Sequence, residues 1–107
     1  MHLKKEEVCK DILNILKKQP SNSVDSIQGH FFNELQERNL VGTVKNGTTT
    51  TYGIPMPQSD IMLINEVIYD LIVERVITPG RDSYNKGMPY FSVTNNEKLE
   101  EMIKSLQ

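Results

Sequence analysis

The chain has 107 residues, 37% of them apolar, one cysteine and a formal net charge of −2. That length suits a single core, and the chain has neither the long apolar run of a membrane span nor the cysteines for a disulfide or a thiolate metal site. The charge is not that of an ordinary basic nucleic-acid binder, and the charged start Met1-His2-Leu3-Lys4-Lys5-Glu6-Glu7 lacks the apolar core of a signal peptide, so a cytoplasmic chain is expected.

Residues 4–18 predict an amphipathic helix. Val8, Ile12, Ile15 and Leu16 recur at helical spacing, Cys9 and Leu13 widen the stripe, and Pro20 stops continuation. Cys9 among these apolar neighbours is expected to be a buried, inert thiol. Residues 22–39 predict a second helix with Ser21 or Ser23 as cap and Val24, Ile27, Phe31 and Leu35 as its apolar stripe. Gly29 is a candidate break that would divide it into a helix–turn–helix outline.

The period then changes. Residues 40–54 predict a β-hairpin, because Asn46-Gly47 stands between the β-branched runs Leu40–Lys45 and Thr48–Ile54. Pro55-Met56-Pro57 is a stiff connection. Residues 59–75 predict the most apolar helix, capped by Ser59 or Asp60, with Ile61, Ile64, Val67, Ile68, Leu71 and Ile72 facing the core. Glu66, Asp70 and Glu74 repeat on the opposite side, and Met62, Leu63, Tyr69 and Val73 fall outside the core arc. A second hairpin over 76–94 pairs Val76-Ile77-Thr78 with Tyr90-Phe91-Ser92-Val93-Thr94. Thr94-Asn95-Asn96-Glu97 then opens a last helix over 96–106, with Leu99, Met102, Ile103 and Leu106 as its stripe. Glu34-Leu35 with Leu40-Val41 echoes Asp70-Leu71 with Val76-Ile77; either two helix–hairpin units or chance explains it.

The fold class expected from these elements is α+β, helix-dominated, with two hairpins and a C-terminal helix. The segment from Ile64 to Gly80, with Asp70-Leu71-Ile72-Val73-Glu74-Arg75-Val76-Ile77-Thr78-Pro79-Gly80 at its end, and its closing run Met88-Pro89-Tyr90-Phe91-Ser92-Val93-Thr94 resemble the winged-helix pattern. There a third helix runs into a short strand, a polar loop forms the wing, and an aromatic strand returns to the core. The resemblance covers about a third of the chain well, with the first two helices fitting it loosely. It implies a regulatory DNA-binding module or a winged-helix domain that joins proteins without binding nucleic acid; a homodimer is expected because one copy with so few cations should bind DNA weakly.

By segment, residues 1–20 carry +2, 21–58 carry −1, 59–75 carry −3, 76–94 carry +1 and 95–107 carry −1. The third helix therefore turns carboxylates where groove-reading helices present basic or amide groups, leaving only Asn65 and Tyr69 at the rim. Nucleic-acid contact is expected instead from the wing, through Arg81, Tyr84, Asn85 and Lys86, and from Lys45 at the first hairpin tip. Ordinary solvation explains a polar loop equally well. A protein interface is expected from Tyr69, Val73, Leu99, Met102 and Leu106, unless the last helix covers that surplus surface within one chain. No nucleophile elbow, phosphate loop, dinucleotide fingerprint or metal-spaced cluster occurs, and His2 and His30 have no evident sequence partner. An enzyme, a cofactor and a metal are accordingly not expected, nor is a membrane partner.

Overall fold

A computed structural model describes residues 1–106. In chain order the elements are α1 (Lys5–Lys18), β1 (Ser21–Ser23), α2 (Val24–Glu37), β2 (Gly42–Asn46), β3 (Thr49–Ile54), α3 (Gln58–Val73), β4 (Ile77–Pro79), β5 (Tyr90–Val93) and α4 (Asn96–Ser105). The α+β class, the two hairpins and the C-terminal helix are all present, arranged as one three-stranded sheet in the order β1-β5-β4 and one two-stranded sheet, β2-β3.

The three-stranded sheet contains a strand that the sequence does not announce. The second helix is expected over 22–39 with Ser21 or Ser23 as its cap, but Ser21, Asn22 and Ser23 pair antiparallel with Ser92, Phe91 and Tyr90. A three-residue polar run has no period of its own, and the partner strand supplies the reason for its extension. Ser23 still caps α2, accepting from the Ser26 amide at 3.2 Å. Gly29 does not break α2: the helix runs unbroken through it.

Both α2 and α3 end in the same way. Asn39 and Arg75 adopt left-handed φ of 61° and 63°, so that Leu40 N–H donates to Leu35 O and Val76 N–H to Leu71 O, each at 3.0 Å. These are six-to-one closures that satisfy carbonyls left over at a helix end. Each hands the chain directly to a hairpin. The echo in the sequence thus reflects a shared helix ending. In the first hairpin Asn46 pairs with Thr49, so the turn residues are Gly47 and Thr48, not Asn46-Gly47. Only Gly47 needs positive φ (63°), as in turns that carry glycine first.

The core is contiguous. Val8, Ile12, Leu13 and Leu16 of α1, Ile27, Phe31 and Leu35 of α2, Ile64, Ile68 and Leu71 of α3, Ile77 of β4 and Phe91 of β5 are fully buried. Leu63 joins this core, contrary to its expected outward position, while Ile61 and Ile72 lie half-buried at its margin. Asp60, buried in the first turn of α3, does not cap that helix: Pro57 occupies the cap position. Its carboxylate instead accepts from the backbone amides of His2 at 2.9 and 3.0 Å and Leu3 at 2.9 Å. The segment before α1 is thereby tied to α3. No described helix is long and apolar enough to cross a membrane.

Candidate nucleic-acid and protein interfaces

The loop between β4 and β5 is built around two features. Gly80 has φ of 112°, and a Cβ there would meet the Lys86 carbonyl oxygen at 3.0 Å, so glycine permits the narrow neck. Beyond it, the Asp82 carboxylate accepts from the amides of Tyr84 and Asn85, both at 2.9 Å. Arg81 N–H closes the tip on Asn85 O at 2.7 Å. The Asn85 and Tyr84 amides hold the Asp82 carboxyl below the usual carboxylate range. Ser92 Oγ donates to Gly80 O at 2.9 Å, fixing the neck to β5.

Arg81 and Lys86 therefore flank the neck, and Tyr84 projects from the tip with 94% of its surface exposed. Among the described residues neither cation has a carboxylate partner. The Asn85 side chain also helps to organise the loop: its amide nitrogen lies 3.3 and 3.4 Å from the two Asp82 oxygens. Lys45 belongs to the other sheet. Its backbone is held at both N–H and C=O by the Asn39 side chain, each at 2.8 Å, and its exposed ammonium is not on the loop's sheet. Thr49–Gly53 are exposed throughout β3, as an edge strand would be.

The outward face of α3 differs in charge from the expectation. Lys5 reaches Asp70 at 3.2 Å and Glu66 at 3.6 Å, and these carboxylates, Asp70 foremost, hold its ammonium above the usual range. Lys98 lies 2.9 Å from Glu74. Such exposed pairs stabilise little, but they balance the acidic strip locally. Asn65 is half-buried and accepts from Gln28 Nε2 at 2.9 Å, so it is not poised to read a base.

Beside the ion-paired carboxylates Met62, Tyr69 and Val73 stand 61%, 54% and 77% exposed. At 100° per residue they share an arc of about 40°, spread over roughly 16 Å of helix. Met62 was recognised in the sequence as lying outside the core arc but not as part of a site. Leu99 corrects the expected interface: at 2% exposure it is core. Met102 is half-buried against the same cluster, and Leu106 is exposed at the end of α4. The last helix does dock within the chain, but on α1, with Lys17 3.6 Å from Glu100. It leaves Tyr69 and Val73 uncovered.

A third grouping was not foreseen. Asp11 of α1 and His30 and Glu34 of α2 bring one donor atom each to within 4.8 Å of one another, beside a recess of about 280 Å³. Burial, then Glu7, pushes the Asp11 carboxyl up; burial, then Asp11 and Glu7, does the same to Glu34. The spacing of His30 and Glu34 was a usable signal, because residues four apart share a helix face. Asp11 joins them only through the packing of α1 on the fold. Cys9 is half-buried with its thiol pushed up by burial, a setting that disfavours the reactive thiolate. Comparison with known proteins finds no family model, no curated protein and no solved structure that the chain matches.

Proposed function

We propose that this chain is a winged-helix module that binds nucleic-acid backbone through its β4–β5 wing, acting as a homodimer. The element order supports it: helix, strand, helix, a hairpin insertion, helix, strand, loop and strand, with the first strand completing the sheet beside the last. The observation that carries the proposal is the wing tip, where a nearly fully exposed Tyr84 shares the loop with Arg81 and Lys86, neither of which forms an ion pair among the described residues. Arg81 and Lys86 would hold phosphates, and the Tyr84 ring would pack on sugar or base. Asp82 and Asn85 would keep the tip in shape before contact, which lowers the ordering cost of binding. Two cations per protomer are few, hence the homodimer. Arg81→Glu with Lys86→Glu should weaken duplex binding by about tenfold or more at low salt; unchanged affinity would refute the wing contact.

A specific observation favours a second reading, in which α3 docks a protein and nucleic acid is not bound. Met62, Tyr69 and Val73 are exposed apolar residues on one side of a helix otherwise central to the core, and exposed apolar surface of this kind commonly marks interfaces. Val73→Asp should then disrupt a complex while leaving the monomer folded. A sedimentation profile that stays monomeric at high concentration, with no copurifying protein, contradicts it.

A further inference from the structure

We infer that Asp11, His30 and Glu34 form a binding site for a divalent first-row transition-metal cation, with Zn²⁺ the best match. The donor set is one imidazole and two carboxylates, which suits zinc and its neighbours better than calcium or magnesium, whose sites are built of oxygen alone. His30 Nε2 and Glu34 Oε2 already lie 4.0 Å apart on one face of α2. Asp11 faces them from α1, all three within 4.8 Å. Zinc bonds of about 2.0–2.2 Å at tetrahedral angles require donors roughly 3.3 Å apart. Rotations of half-exposed side chains, moving each donor by about 1 Å, close that difference without moving either helix.

The surroundings favour a cation. Glu7 adds a third carboxylate whose charge is felt at both Asp11 and Glu34, opposed by the Lys10 charge at Asp11 and the Arg38 charge at Glu34; Arg38 is itself paired with Glu7 at 3.8 Å. The His30 ring packs edge-on against Phe31, with centroids 5.3 Å apart and planes at 89°, which limits its orientations before any ion arrives. Asn14, Ile15 and Lys18 line the rest of the recess. Lys18 works against a cation, and its long exposed side chain can turn away into water. Three protein donors leave a coordination position open to solvent in the recess, so the ion would cross-link α1 to α2.

Binding that requires both helices raises the stability of the folded chain by mass action. Untagged, chelator-treated protein in 100 µM Zn²⁺, a concentration of roughly the order this linkage needs, should gain about 5 °C in Tm. Amide chemical shifts should move first around residues 11, 30 and 34. His30→Ala and Glu34→Gln, both at exposed or half-exposed positions and each confirmed as folded by circular dichroism, should lose the Tm gain and the shift changes. An unchanged Tm and spectrum in the parent protein, or a gain that survives in both variants, overturns the site.

Discussion

At the scale of single residues, the most informative positions are those where the backbone or charge is held against its ordinary preference. Arg75 closes α3 at φ of 63°, a conformation that costs an L-residue with a Cβ about 1 kcal/mol and glycine almost nothing. Arg75→Gly should therefore stabilise the fold by up to about 1 kcal/mol, read as a higher urea midpoint at unchanged slope. Asn39, in the same role at the end of α2, tolerates the region better because its short side chain bonds locally, here to Lys45. Asp11 and Glu34 show the electrostatic version. Both carboxyls are pushed up by burial and by neighbouring carboxylates, so each binds a proton more readily folded than unfolded. Their charge thus opposes folding at neutral pH, and the opposition fades as the pH falls through their raised values. In metal-free buffer Asp11→Asn should raise Tm at pH 7 and give a smaller gain at pH 4. An equal gain at both values would assign the effect to packing.

At the scale of elements, the sequence was most legible where one period dominates. All four helices and both hairpins could be read because stripes such as Val8–Ile12–Leu16 and turn residues such as Gly47 act locally. β1 could not, because Ser21-Asn22-Ser23 takes its conformation from Tyr90, Phe91 and Ser92, far away in sequence. The two-sided apolar surface of α3 was visible as a surplus, yet its division was not: Leu63 turned inward while Met62 stayed out. Of the candidate site, the wing cations and Tyr84 were legible, whereas the commitment of Asn85 to Asp82 depends on the loop's three-dimensional closure. Asp60 is a related case. It reads as a helix cap but fastens the chain ahead of α1 onto α3 through two backbone amides. Asp60→Ala leaves those amides without their buried acceptor and should cost about 2–3 kcal/mol. A loss below about 0.5 kcal/mol, the range of an ordinary surface change, would show that water replaces the carboxylate.

At the scale of the whole molecule, net charge is a poor guide to the partner because charge is matched in some places and unmatched in others. The carboxylates of α3 are answered by Lys5 and Lys98. The cations of the β4–β5 loop, Arg81 and Lys86, form no ion pair among the described residues, and the one acid between them in sequence, Asp82, accepts from Tyr84 and Asn85 and feels the Arg81 charge only weakly beside those bonds. On the proposed reading the β4–β5 loop is where a polyanion would gain most, and on the second reading the exposed apolar residues of α3 are where a protein would. These two surfaces make opposite predictions for salt: counterion release makes phosphate binding fall steeply with salt, while apolar docking changes little. The decisive measurement is fluorescence anisotropy of a mixed-sequence DNA duplex titrated with the protein at about 50 and 200 mM salt. The wing account predicts binding at the lower salt that weakens with a log–log slope of roughly −1.8 per protomer, for two phosphate contacts each. No binding at low salt, where such contacts are strongest, would contradict it and favour the reading in which Met62, Tyr69 and Val73 dock a protein.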